Sequence, residues 1–127
     1  MTLEKLDHLV LPVSDVDAIA AFYTTYLGME KRVFGEGRVA LHFGDQKINL
    51  HPAGWDYEPK ARVSVAGTGD LCFIVSEPVE VLQAELIQKG VEIIEGPVFR
   101  TGASGRLRSI YIRDPDGNLI ELSNGIE

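Results

Sequence analysis

The chain repeats itself, and the repetition limits its fold more than any other feature. HLVLPVSDVDAIAAFYTTYLGMEK, beginning at His8, lies without a gap over DLCFIVSEPVEVLQAELIQKGVEI, beginning at Asp70. Ser14 meets Ser76, Asp15 meets Glu77 and Gly28 meets Gly90. Further along, GDQKINL from Gly44 lies over DGNLIEL from Asp116 at a longer offset, and the difference is loop length. A period of this size marks two copies of one supersecondary unit. At 127 residues the chain has the size of one domain, so the two copies must share one core or meet across an oligomer interface.

Each copy opens with a short apolar run, Leu9 to Val13 and Leu71 to Val75, whose length and β-branched content favour a strand. Each run ends at a helix start. Ser14-Asp15-Val16-Asp17 and Ser76-Glu77-Pro78 supply a capping hydroxyl, early acids and, in the second copy, a proline in the first turn. Ile19, Phe22, Tyr23 and Tyr26, and then Val81, Leu82, Leu86 and Ile87, recur at helical spacing, and Gly28 and Gly90 are natural stops. Three strands follow in each copy, at 29–34, 37–43 and 46–51 and at 91–95, 106–113 and 119–123. Gly44-Asp45 predicts a two-residue hairpin turn, and Asp114-Pro115-Asp116-Gly117-Asn118 a longer one.

The expected fold is therefore α+β, with tandem βαβββ modules forming a curved eight-stranded mixed sheet of half-barrels and helices on the outer face. Module one spans 1–52, module two 68–127, and 53–67 is a linker long enough to serve as a lid or substrate loop, all within a single domain 1–127. Strand alternation assigns the faces. Leu41 opposite Ile48 and Val39 opposite Leu50 form a helix-side layer, which leaves Ala40 with Asn49, Arg38 with His51 and His42 with Lys47 on the other face. The same parity puts His8, Val10, Asp70, Cys72, Ser109, Tyr111, Glu121 and Ser123 there. His8, Asn49, Asp70 and Glu121 occupy matched places on the first and last strands of the two copies, and such nitrogen and oxygen donors suit a borderline divalent metal: Mn, Fe, Co, Ni or Zn.

DHLVLPVSDVDAIAAFYTTYLGMEK at the front and YIRDPDGNLIELSN at the back resemble the opening and closing signatures of the vicinal oxygen chelate superfamily of glyoxalases, fosfomycin-resistance proteins, extradiol dioxygenases and bleomycin-resistance proteins. KINLHPAG with GDLCFIV resembles the glyoxalase domain-containing protein 5 subgroup. The resemblance implies a metal at open coordination sites that chelates vicinal oxygens and stabilises their developing charge. It places the first-strand histidine on His8 and the closing glutamate on Glu121. The fifth-strand position, usually histidine, is Asp70, and the fourth-strand position, glutamate in glyoxalase I, is Asn49, which cannot take a proton. His51, on the same face, could replace a missing nitrogen ligand. Tyr111, expected beside Glu121, could orient a ligand or donate to a substrate oxygen.

Two functions follow from the resemblance: a metal-dependent lyase, isomerase or dioxygenase acting on a small oxygen-rich molecule, and a metal-free protein that sequesters a drug. Trp55 and Tyr57 in the linker could close over an aromatic substrate or cover a neighbouring subunit. A net charge of −7 opposes nucleic acid as a partner and suits a cationic ligand if it does more than solubilise. No Gly-rich phosphate loop or serine nucleophile elbow is present. Cys72 has no second thiol and is expected to pack as a small apolar residue in a reducing compartment. With no apolar run of signal-peptide or membrane-span length, the expected setting is cytoplasmic, away from the membrane. Free sheet edges predict a homodimer.

Overall fold

The computed structural model describes residues 1–126, and its contacts divide the chain into Met1–Thr68 and Gly69–Glu127. Each unit is βαβββ. The first contains β1 (His8–Val13), α1 (Val16–Leu27), β2 (Glu30–Phe34), β3 (Arg38–Phe43) and β4 (Gln46–Pro52). The second contains β5 (Asp70–Ile74), α2 (Val79–Gln88), β6 (Glu95–Gly102), β7 (Gly105–Arg113) and β8 (Leu119–Ile126). The eight expected strands are present as two four-stranded mixed sheets, ordered β1-β4-β3-β2 and β5-β8-β7-β6. In each, the first and last strands pair in parallel and the other pairs are antiparallel.

A parallel pair needs a crossover, and the helix supplies it. α1 packs on β2, β3 and β4, and α2 packs on β7 and β8. Beneath α1, Leu11, Val13, Leu41, Ile48 and Leu50 are buried with Ile19, Ala20 and Tyr23 of the helix; in the second unit the layer is Ile110, Ile112, Ile120 and Leu122 with Val79 and Leu86. The helix-side parity expected from alternation therefore holds in both sheets.

α1 starts one residue later than its serine suggests: Asp15 is the cap, and its carboxylate accepts from the Ala18 N–H at 3.0 Å. Gly28 closes it at φ 67, a left-handed conformation in which Met29 N–H reaches the Tyr23 carbonyl. α2 departs further from expectation. No side chain in its own segment caps it; Asn124 of β8 does, accepting from the Val79 N–H at 2.9 Å and donating to the carbonyls of Val75 and Glu77. Because the helix begins at Val79, its buried stripe runs through Val79, Leu82, Gln83 and Leu86, and Val81 and Ile87 face out.

β6 is the largest correction. It occupies Glu95–Gly102 instead of 91–95, and Gly96-Pro97 lies inside the strand at a register shift between Glu95 and Val98. Gly96 has φ 109, and a Cβ there would collide with the Ser109 carbonyl. The following hairpin turns at Ala103-Ser104, and the expected Gly44-Asp45 turn is present with Gly44 at φ 52.

The DPDGN segment ties the second unit together. Asp114 Oδ1 accepts from the N–H groups of Asp116 and Asn118, each at 3.0 Å, and its Oδ2 accepts from Asn118 Nδ2 at 2.8 Å. Asn118, fully buried, accepts in turn from the Gly69 N–H at 2.7 Å, just before β5. Asn118→Ala would leave the part-buried Gly69 N–H without its side-chain acceptor and remove one donor from the Asp114 carboxylate, at a cost of about 2 to 3 kcal/mol. Urea unfolding should show a lower midpoint at unchanged slope, and an unchanged midpoint would contradict this role for Asn118.

Candidate functional site

In the first unit the face away from α1 can be read in three cross-strand rows. Glu30, His42, Lys47 and His8 form one; Arg32, Ala40, Asn49 and Val10 the next; Phe34, Arg38, His51 and Pro12 the last. All three histidines of the chain stand on this face. So do three cations, Arg32, Arg38 and Lys47, against the single carboxylate of Glu30, which Arg32 already engages at 3.0 and 3.2 Å. The face is locally cationic although the chain is acidic.

Arg38 is its most constrained member. One Nη2–H group donates to His51 Nε2 at 3.2 Å, and the guanidinium carbon lies 4.7 Å from the Phe34 ring centre and 4.6 Å from that of Tyr57. The Tyr57 ring also lies 4.8 Å from His51, so this linker residue covers the histidine while Trp55 remains exposed. An arginine cannot accept, so His51 takes the bond on an unprotonated Nε2 and carries its proton on Nδ1. Burial and then the Arg38 charge hold His51 below its usual pKa. Burial, followed by Arg32 and Lys47, lowers His42 against a small opposing effect of Glu30. Two buried polar atoms have no partner here: Arg38 Nε and Asn49 Oδ1. A cavity of about 660 Å³ opens at this end of the sheet, bounded by the β2–β3 turn, the ends of β3 and β4 and the linker around Trp55 and Tyr57.

His8 lies at the exposed edge, its Nδ1 2.8 Å from Asp7 Oδ2. That contact holds the Asp7 carboxyl below its usual pKa. The register sets His8 beside Lys47 and Asn49 beside Val10, so the two sequence-matched positions are two residues apart along the pair. Asp70 and Glu121 are offset in the same way, with Asp70 beside Leu119 and Glu121 beside Cys72.

The matching face of the second unit is built around Glu121. Ser109 Oγ donates to its Oε2 at 2.7 Å, and Ser123 Oγ lies 3.3 Å from the same oxygen and 2.7 Å from Ser109 Oγ. Both serines are fully buried. Among the described residues Glu121 forms no ion pair. Tyr111 stands opposite it across the strands, as expected, and its hydroxyl accepts from Arg100 Nε at 2.9 Å while Arg100 Nη2 holds Glu95 at 2.7 Å. Burial raises the Tyr111 pKa; Arg100 lowers it and Glu121 raises it again, so the phenol is neutral at pH 7. Cys72, expected to pack as an apolar residue, is instead exposed, with its sulfur 3.3 Å from Ser123 Oγ.

Among the described residues neither unit by itself gathers three His, Cys, Asp or Glu side chains into a group that could hold a metal. No described helix is long and apolar enough to cross a membrane. Strand parity placed Arg38, Ser109 and Ser123 on the polar faces, yet nothing local marked them out. Their importance comes from cross-strand register and from what lies over them.

The profile of the Glyoxalase/Bleomycin resistance protein/Dioxygenase superfamily matches residues 5–122. The chain is 52% identical over 123 residues to a virulence protein of Salmonella typhimurium, covering 97% of this chain and 85% of the relative. A crystal structure of that protein superposes with a TM-score of 0.96, covering 99% of this chain and 100% of that one. A glyoxalase domain-containing protein of Mycosarcoma maydis is 51% identical, over 98% of this chain and 70% of the relative. A metallothiol transferase of Shouchella clausii is 27% identical, over 94% and 80%. The fold is shared with a lactoylglutathione lyase of Agrobacterium tumefaciens (23% identity, TM-score 0.75, covering 98% and 96%) and with an antibiotic-binding protein from Streptomyces (22%, 0.77, covering 99% and 99%).

The Arg38–His51 contact has a measurable signature. The His51 ring should titrate below the ordinary value of about 6.5 in an NMR pH series, and Arg38→Met should move the midpoint up. Because the unfolded chain then takes up the proton first, His51 and His42 contribute stability above about pH 6.5 that is lost as pH falls through and below it. A His51 midpoint at or above the ordinary value would contradict the contact.

Proposed function

The chain belongs to the glyoxalase/bleomycin resistance protein/dioxygenase superfamily, and from that premise we propose that it is a metal-dependent enzyme acting on a small oxygen-rich molecule, of lyase, isomerase or dioxygenase type. The observation that carries this reading is Glu121, a carboxylate on the polar face of β8 without an ion pair among the described residues, with one oxygen held by Ser109 and Ser123. Residues 1–52 and 68–127 serve in it as two modules of one cytoplasmic domain, of the glyoxalase domain-containing protein 5 type.

The ligand set is His8, Asp70 and Glu121, with His51 as an additional donor, for Mn, Fe, Co, Ni or Zn. The donor chemistry fits: Asp7 engages His8 Nδ1, the outer-sphere contact that leaves Nε2 as a donor, and nitrogen with carboxylate oxygens suits these ions. His51 would have to give up Arg38 to ligate through Nε2. When bound, the ion supplies Lewis-acid stabilisation of negative charge on substrate oxygens. Tyr111 is a neutral phenol whose oxygen is held by Arg100 opposite Glu121, where it would orient a ligand or donate to a substrate oxygen. Asn49 offers an amide with no hydrogen-bond partner on its buried oxygen and binds and orients without exchanging protons.

A second reading, a metal-free protein that sequesters a small molecule, is favoured by the cavity of about 660 Å³, whose side chains belong to one unit and include neither His8 nor Glu121. An antibiotic-binding protein from Streptomyces shares this fold, which supports that reading. In either case β1 and β5 are sheet edges carrying exposed Val10 and Ile74, and a homodimer would cover them. Light scattering at micromolar concentration should return twice the 14.0 kDa chain mass, and a monomer would argue against that assembly.

Calorimetry with Mn, Co, Ni and Zn on the purified protein decides between the readings. His8→Ala and Glu121→Ala should each weaken binding by more than the about 10- to 100-fold typical of losing an outer-sphere partner, with unchanged circular dichroism, and Asp70→Ala by less. Wild-type affinity in both the His8 and Glu121 variants would remove the metal assignment.

A further inference from the structure

Arg38 is presented as ligand-binding arginines are, with a fixed guanidinium and an unsatisfied donor. His51 and the rings of Phe34 and Tyr57 hold it from three sides, which fixes the plane of its fork. Its Nε–H is buried and has no acceptor in the protein, an arrangement that costs free energy. Two residues from His51 on the same face of β4, Asn49 is only 4% exposed and its Oδ1 is likewise without a partner.

The surroundings narrow the chemistry. The adjoining cavity, about 660 Å³, falls in the size range of small-molecule pockets, and its walls are largely apolar and aromatic: Val16, Val39, Leu50, Pro52, Trp55 and Tyr57. Arg38 and His51 are its polar anchors. Three acids, Glu36, Asp56 and Glu58, also line it, but all are exposed at the rim, where solvent screens them. Arg38, walled by two rings, is screened less. One anchoring cation under an acidic rim suits a monoanion with a flat apolar body and disfavours a compact multivalent anion.

We propose that this pocket binds an aromatic carboxylate, its carboxylate oxygens accepting from Arg38 and its ring lying against Tyr57 and Trp55. The site names a ligand class for the function proposed above and rests on that reading for its use in the cell. Binding itself requires no metal.

The test is calorimetry on the full chain stripped of metal with EDTA, using benzoate, benzamide and inorganic phosphate as probes. Benzoate should bind saturably, about tenfold or more tightly than benzamide, which lacks the charge, and than phosphate, which lacks the ring. Arg38→Met should abolish benzoate binding, Arg38→Lys should weaken it about tenfold by losing the planar fork, and Tyr57→Ala should weaken it severalfold. If the methionine variant does not fold, the lysine and Tyr57 variants decide. No saturable binding of benzoate at millimolar concentration, equal binding of benzamide or phosphate, or wild-type affinity in a folded Arg38→Lys protein would each overturn the proposal. Because the protein is metal-free, a failed benzoate titration leaves the metal assignment standing, and a failed metal titration leaves this site standing.

Discussion

In each unit the first strand runs parallel to the last, and most of the architecture follows from that pairing. Parallel neighbours cannot be joined by a tight turn, so the chain must cross over one face of the sheet, and α1 and α2 are those crossovers. A helix laid on one face makes that face apolar and leaves the other to different chemistry. Leu41, Ile48 and Leu50 under α1, with Arg38, Asn49 and His51 on the reverse, are alternate residues of the same two strands. The polar face is thus a direct consequence of strand pairing and of the two-residue period of side chains.

Given the same scaffold twice, the chain has placed different charges on its two polar faces. The first carries all three histidines and more cations than carboxylates; the second has Glu121 held by serine hydroxyls, with Glu95 and Tyr111 tied to Arg100. Neither is visible in a net charge of −7, which averages over acids that face water at the rims and helix surfaces. Field strength at a site depends on which charges are walled from solvent, and Arg38 between two rings acts in a way that an exposed glutamate does not.

The segment that most resembles the family's closing signature has two jobs that the sequence does not separate. Asp114, Gly117 and Asn118 build a turn and fasten it to Gly69, whereas Glu121, three residues beyond Asn118, stands on the polar face. The first part holds the fold and the second contributes to the polar face. Similarity across the whole stretch to proteins of varied activity fits this division, because a shared turn carries a shared fold and leaves the chemistry to the residues on the face.

What could be read from the sequence alone is what depends on local period and local capping. The repeat, the βαβββ order, the apolar layer, the Gly28 stop and the Gly44-Asp45 turn all follow from spacing within one element or between neighbours. Tertiary structure decided the rest. β6 runs on through Gly96-Pro97, at a bulge against Ser109; α2 is capped by Asn124 from a strand far along the chain; and the parallel register places His8 beside Lys47 instead of Asn49. Arg38 likewise became a candidate anchor only once β3, β4 and the linker brought His51, Phe34 and Tyr57 around it. Periodicity reports which side of a strand a residue occupies because backbone geometry sets it locally. Which partner meets it, and whether water is excluded there, depends on distant segments that only the folded chain brings together.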